Sequence, residues 1–194
     1  MLRISKTFVL RCAEVYERHR GRRSRLTERE LKAWLRRRRP PKHLNKERFV
    51  RLAVWKSRGQ KQAYLENDDR LVAQATRQAY RAPNDLLKLH ILTALKGVDV
   101  TVAAAILHFF YPGRFAVFDL HARKTLRKAG VWQRSVGDDS VAAWQEYVRI
   151  TRRLAKRLGV TLRTLDKALN ARDRWPGECR RALPHRLAAR RARR

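Results

Sequence analysis

The 194-residue chain carries 48 Lys and Arg against 17 Asp and Glu, a formal net charge of +31 at pH 7. So strong a positive field favours a polyanionic partner. Nucleic acid is a better candidate than an anionic membrane, because no long uncharged span occurs in the sequence. Charges also interrupt the first residues too early for a secretory signal, so we expect an intracellular protein of the cytoplasm or nucleoid. Composition alone does not separate an enzyme from a ribosomal-type or architectural protein.

The length suits one domain or two small helical lobes. No strand pattern of any strength appears, so we predict an all-α domain over residues 1–176. Residues 177–194 are rich in Arg and Ala and predict a flexible basic tail that contacts phosphates without specificity. The two cysteines, Cys12 and Cys179, are too few and too far apart to indicate a disulfide framework or a metal site.

Apolar periodicity predicts a first helix over residues 4–20. The sequence Thr27-Glu28-Arg29-Glu30 has the pattern of a capping box, which predicts that the second helix begins there. The arginine run over 36–39 is expected to attract phosphate generally. Asn45 is placed to cap a third helix. The acidic cluster Asn67-Asp68-Asp69 predicts a further helix N-terminus, where carboxylates suit the helix dipole, and is a weaker candidate for a metal site.

Four side chains are candidates for a base pocket: Trp55, Lys56, Tyr64 and His90. Flipped bases are held between flat apolar groups, which Trp55 beside Lys56 could supply. The competing interpretation, which we favour, is that Trp55 is a core residue and Lys56 is solvated. His90 lies among leucines, where a packed, hydrogen-bonded histidine is the usual outcome.

The longest stretch with few charges runs from residue 86 to residue 130. Its apolar spacing predicts a helical hairpin over about 86–110, joined by Lys96-Gly97-Val98-Asp99. Gly97 can take backbone angles that other residues resist, and Asp99 belongs to the few other residue types that tolerate the left-handed region. The N–H groups near Gly97, Asp99 and Val102, together with the Lys96 charge, predict a phosphate site.

Asp119 follows the apolar residues 115–118 and precedes a predicted helix that ends near Gly130. The simplest interpretation is that Asp119 caps this helix, a role that is compatible with catalysis because a cap holds its carboxylate in place. His121 follows closely. Lys124 and Lys128 are one helical turn apart and could either track a phosphate backbone or form plain solvated surface.

The segments LKGVDVTVAAAIL, from Leu95, and FAVFDLHARKTLRKAG, from Phe115, together resemble the helix-hairpin-helix DNA glycosylases, the superfamily that includes endonuclease III. The family hairpin reads roughly L-x-G-[VI]-G-x-x-x-A, and an aspartate followed by a histidine comes soon after. Here Gly97, Asp119 and His121 occupy those positions. The resemblance covers about a quarter of the chain. It implies two helical lobes with Asp119 at the mouth of a cleft between them.

The resemblance also implies roles for individual residues. Asp119 would be the catalytic carboxylate, which stabilises positive charge on the ribose and orients or deprotonates water. The implied DNA-binding residues are Lys96, Gly97, Val98, Asp99, Val102, His121, Lys124 and Lys128. In relatives, hairpin carbonyls bind a monovalent cation, and the matching residues here are Thr93, Leu95 and Val98. No other cofactor is implied.

The sequence departs from the family at four points. Thr101 stands where the lyase branch carries its lysine, so the resemblance implies a monofunctional enzyme. Two cysteines cannot build the four-cysteine iron–sulfur cluster of some relatives. Asp99 replaces the second hairpin glycine and Lys96 the usual proline, and a carboxylate there would repel phosphate.

We therefore expect a monomeric, monofunctional DNA glycosylase that acts on double-stranded DNA containing a damaged or modified base. A non-enzymatic DNA-binding protein, or an RNA-binding accessory protein, is the alternative.

Overall fold

The computed structural model describes residues 2–35 and 43–181, and within these ranges the chain forms helices and no strand. The predicted all-α class is confirmed. No helix in the described ranges is long and apolar enough to cross a membrane. The arginine run over 36–39 and residues 182–194 of the predicted tail lie outside the described residues.

Eleven helices account for most of the described residues. In chain order they are α1 Lys6–His19, α2 Arg22–Leu35, α3 Lys46–Lys56, α4 Lys61–Leu65, α5 Asp69–Arg81, α6 Asp85–Thr93, α7 Val100–Phe110, α8 Leu120–Lys128, α9 Val141–Leu158, α10 Leu162–Arg174 and α11 Pro176–Arg181. The described residues divide into two compact units. Unit A comprises residues 2–20, 118–138 and 145–181, and unit B comprises 21–35, 43–117 and 139–144.

Unit A is organised around α10, which packs against both α1 and α8. Helix α1 contributes an apolar face spaced at three residues, Val9, Cys12 and Val15, all fully buried. Residues at such spacing share one side of a helix, so they can bury together. Because α10 also lies along α8, it places its polar residues close to the N-terminus of that helix.

Unit B is built around α7, whose residues Val102 to Phe110 are all buried. A helix that is apolar on every side must be surrounded, and α7 contacts α2, α3 and α6. The small side chains of Ala103, Ala104 and Ala105 leave room for neighbouring backbones. The turn before α7 therefore leads directly into a helix that is buried along most of its length.

Several predicted boundaries are wrong. Helix α2 begins at Arg22, so Thr27 lies inside it, and Glu30 pairs with Arg51 of α3 instead of closing a capping box. The basic tail does not begin at residue 177, because α11 continues to Arg181 and Cys179 is buried. Its thiol hydrogen-bonds to that of Cys12, a proximity that their distance in sequence did not suggest.

Candidate functional site

Asp119 is the N-cap of α8, as the sequence predicts, with an extended backbone at φ −128° and ψ 134°. Its Oδ1 accepts hydrogen bonds from the main-chain N–H groups of His121 at 3.0 Å and Ala122 at 3.2 Å. These are donors that a helix leaves without partners in its first turn. The helix itself therefore fixes the position of the carboxylate, which is partly exposed.

Asn170 on α10 adds a contact that helix capping does not require. Its side-chain amide donates to the same Asp119 Oδ1 at 2.9 Å, across 51 residues of sequence. The Oδ1 of Asn170 is buried and has no hydrogen-bond partner among the described residues. Three donors thus converge on one carboxylate oxygen and restrict its position. Sequence analysis assigned no chemistry to this helix.

His121 is held by a second acidic residue of α10. Its Nδ1 lies 2.9 Å from Asp173 Oδ2, while Lys128 Nζ lies 2.8 Å from Asp173 Oδ1. Burial raises the pKa of Asp173, but hydrogen bonds from Lys128 and His121 lower it, and the result lies below the ordinary value of 3.8. A carboxylate at Nδ1 favours the tautomer that carries its proton there, which leaves Nε2 as the nitrogen for a ligand.

The two lysines of α8 differ. Lys128 is paired with Asp173 and is therefore not a simple solvated charge. Lys124 forms no ion pair with any described residue, and it is half-buried. Lys124 remains the better candidate for a phosphate contact, because its charge acts on Asp173 without forming an ion pair with it.

Buried polar groups continue into the core of unit A. The fully buried Tyr147 places its hydroxyl 3.5 Å from Asp166 Oδ1. Burial, followed by the negative charges of Asp166 and Asp119, holds the pKa of Tyr147 well above its ordinary value. Arg123, 2% exposed, lies with its guanidinium carbon 4.2 Å from the centre of the Phe118 ring. Clusters of perturbed buried groups are more common at functional sites than elsewhere.

The turn between α6 and α7 lies in unit B and requires glycine at position 97 for two reasons. Gly97 has φ +77°, a conformation that strains other residues. A methyl group there would also lie 2.9 Å from the Ala63 Cβ and 3.0 Å from the Tyr64 ring. Tyr64 is fully buried against this turn. It is therefore a core residue, and its prediction as a base-pocket residue is wrong.

Asn67, which lies between α4 and α5, holds the same turn. Its amide donates to the Lys96 carbonyl at 3.0 Å, and its Oδ1 accepts from the Lys96 N–H at 2.8 Å. The side chain is 1% exposed. Sequence analysis grouped Asn67 with a helix cap, but Asp68 alone performs that role, accepting from Arg70 N–H and Leu71 N–H. Asn67 instead makes the turn rigid.

Asp99 is the N-cap of α7, at φ −85° and ψ 179°, so its expected left-handed conformation is wrong. Its Oδ1 accepts from the Val102 N–H and from the Thr101 hydroxyl, both at 2.8 Å. The Val102 N–H, which the sequence assigned to a phosphate, is therefore already satisfied. The Lys96 ammonium is also engaged, 3.5 Å from Glu66 Oε2.

The carbonyls proposed for a monovalent cation belong to Thr93, Leu95 and Val98. The first ends α6, and the others lie in the turn that follows. Leu95 C=O accepts the Val98 N–H at 3.1 Å, which leaves its second lone pair for a further contact. A monovalent-cation site formed by these three carbonyl groups stays a prediction.

The four base-pocket candidates are not brought together. Trp55 and Lys56 line a groove of about 970 Å³ in unit B, whereas Tyr64 is in the core. His90 is exposed on α6, so its expected burial is wrong. Trp55 is half-buried, with its ring edge-on to Phe109 at 5.2 Å.

The residues that sequence analysis missed are Asn170 and Asp173. They are three positions apart on α10, a spacing that places two side chains on one face of a helix. That spacing was visible in the sequence, but nothing there showed that the face meets Asp119 and His121.

Comparisons of the chain with protein-family models, with curated proteins and with solved structures found no match.

Proposed function

We propose that this protein is a monofunctional DNA glycosylase, which everts a damaged or modified base from double-stranded DNA and hydrolyses its N-glycosidic bond. The observation that carries the proposal is the Asp119 carboxylate, fixed by two N–H groups of its own helix and by the amide of Asn170. The formal charge of +31 supports a nucleic-acid partner.

The reaction needs what such a carboxylate supplies. Breaking the bond between base and sugar develops positive charge on the ribose ring, and a fixed negative charge stabilises it without reorganising. The same group can orient or deprotonate the water that attacks the ribose. A carboxylate held by three donors does not have to be repositioned in the transition state, and positioning of this kind is a large part of catalysis.

The neighbouring residues serve DNA binding. Asp173 orients His121, whose Nε2 donates to a phosphate when the ring carries a proton on both nitrogens, and Lys124 on the same helix adds a second contact. Lys128 acts through Asp173 and holds that carboxylate in its charged form. The proposal assigns no Schiff-base step, because Thr101 cannot supply an amine.

A second function, DNA binding without catalysis, is favoured by one observation. Asp99 places a carboxylate at the start of α7 and takes up the Val102 N–H that a phosphate would need. Repulsion by that charge weakens any phosphate contact at the turn. Such a protein would bind DNA through its basic surface and release no base.

Mass spectrometry of free bases separates the two functions. Wild-type protein is incubated with heavily damaged duplex DNA and with naturally modified duplex DNA, and the released bases are identified. Release of any base by the wild type supports the enzyme and names its substrate class. Borohydride should trap no covalent complex with the same DNA. Absence of release from every DNA, with binding retained, supports the non-enzymatic alternative.

A further inference from the structure

A groove in unit B takes no part in the proposed glycosylase reaction. It has a volume of about 970 Å³ and lies between the first turns of α2 and the last turn of α3. Arg22, Arg23 and Leu26 line it from α2, and Trp55 and Lys56 line it from α3. Arg58 follows α3 and completes the lining on that side. Ligand sites generally have volumes of roughly 300–1,000 Å³.

The groove carries a strong positive charge. Five cations line it, and its one carboxylate, Glu30, is paired with Arg51. Arg22, Arg23 and Arg58 are exposed and form no ion pair with any residue that the structure describes. Like charges held this close repel one another, and an anion that enters the groove relieves that repulsion.

The groove also has an apolar surface beside its charges. Leu26 is 36% exposed, and Val54 and the half-buried Trp55 contribute to the lining. The Trp55 ring packs edge-on against Phe109 at 5.2 Å, a contact that restricts its orientation. A simple phosphate would gain nothing from an indole, whereas a flat aromatic group attached to a phosphate would use both features.

We propose that this groove binds unpaired nucleotides of single-stranded DNA, with the arginines on the phosphates and a base against Trp55. Proteins that bind single strands combine a basic groove with aromatic side chains on which bases stack. A base in a duplex is covered on both faces by its neighbours, so duplex DNA cannot use Trp55 in this way. This single-strand site is separate from the proposed glycosylase function. Only the choice of DNA over RNA rests on that function.

The test measures the affinity of the full chain for fluorescein-labelled dT12 by anisotropy, over a series of salt concentrations. The groove variant is Arg22→Ala/Arg23→Ala/Arg58→Ala. Its matched control, Arg149→Ala/Arg153→Ala/Lys156→Ala, removes three exposed charges from α9. The groove variant should bind at least about tenfold more weakly than the control, and its salt slope should fall by about 2, roughly 0.7 for each lost phosphate contact.

Two further variants test stacking. Trp55→Leu should weaken dT12 binding by about tenfold, and Trp55→Phe should retain most of the affinity, because stacking needs a ring. A duplex of the same length should lose no more affinity in the groove variant than in the control. Trp55→Leu could lose its fold. The arginine variants change exposed side chains alone, so their affinities still test whether the groove binds single-stranded DNA.

Three results would overturn the inference. Equal losses of dT12 affinity in the groove variant and its control would show that the groove contributes only to the general positive charge of the protein and is not a specific site. Equal losses for duplex and single-stranded DNA would remove the role of unpaired bases. Tighter binding of rU12 with the same groove dependence would assign the groove to RNA. None of these readouts requires base release, so the proposed glycosylase activity can fail while the groove stands, and the reverse.

Discussion

Two aspartates of this chain cap helices in the same way and differ in what else holds them. Asp99 caps α7, and the described residues that donate to it, Thr101 and Val102, are within three positions of it. Asp119 caps α8 through two main-chain N–H groups and in addition receives the amide of Asn170 from 51 residues away. Beside it, His121 is held in turn by Asp173.

The difference indicates what capping alone requires. Among the residues that the structure describes, Asp99 and Asp68 accept hydrogen bonds from nearby donors alone, and helix capping needs no more than that. A long-range amide on a carboxylate oxygen fixes the side chain more tightly than a cap needs, which is what catalysis demands of a charged group. Asp99 therefore serves as the internal reference against which Asp119 can be tested.

The largest effect on stability should come from Gly97→Ala. Its positive φ costs an L-residue about 1–2 kcal/mol, and the contacts at 2.9 Å and 3.0 Å with Ala63 and Tyr64 force these neighbours to move. We expect a loss of at least about 2 kcal/mol in the free energy of unfolding, measured with urea. Gly113→Ala is the control, because a methyl group there meets no atom within 4 Å. Equal stability of the two variants would show that the turn is not constrained.

Asn170→Ala should lower the single-turnover rate of base release by about tenfold, which corresponds to losing a hydrogen bond to a charged group. DNA affinity should stay at the wild-type level, because Asn170 orients Asp119 and does not contact DNA. Thr161→Ala is the matched control: it removes a cap bond at the start of the same helix, with the same order of stability cost, and should leave the rate unchanged. A normal rate in Asn170→Ala would reduce the Asn170 contact to a structural one.

Asp99→Asn should raise affinity for duplex DNA a few-fold at low salt. Asparagine keeps the cap and removes the negative charge that repels a phosphate at the turn. Asp68→Asn, the same change at another N-cap of unit B, controls for net charge. Equal gains in both variants would mean that the turn between α6 and α7 makes no particular DNA contact.

The smallest effect concerns acid stability. Because the pKa of Asp173 is lower in the folded protein than its ordinary value of 3.8, its contribution to stability is complete above that pH and is lost as the pH falls through the folded pKa. Asp173→Asn should therefore lower stability at pH 7 and weaken the dependence on pH below about 4. Urea unfolding at several pH values measures both. If stability below pH 4 depended on pH as it does in the wild type, that result would contradict the proposed pairing of Asp173 with Lys128 and His121.

Local structure could be predicted where one residue decides it. The caps at Asn45, Asp68 and Asp119 follow from short polar side chains before apolar runs, and they form as expected. The start of α2 was missed because Thr27 and Glu30 satisfy a capping pattern, whereas the helix already begins at Arg22 and Glu30 pairs with Arg51 of α3.

Contacts between distant segments could not be predicted in this way. Lys88, on a leucine-rich helix, is 4% exposed and donates to the carbonyls of Ala79 and Tyr80, each at 3.3 Å, which sequence spacing does not reveal. The same holds for Asn67 at the turn and for Asn170 at Asp119. Each of these side chains takes its role from a partner that only folding brings near.

The most direct measurement compares base release by wild type, Asp119→Asn and Asp99→Asn on the same damaged duplex DNA, at saturating protein concentration. Asparagine preserves both caps, so all three proteins should be folded, and circular dichroism checks this. We predict that Asp119→Asn loses about 10²–10³-fold in rate, as for removal of a transition-state contact, while Asp99→Asn keeps the wild-type rate. Equal rates in all three proteins would contradict a catalytic role for Asp119 and leave it a helix cap like Asp99.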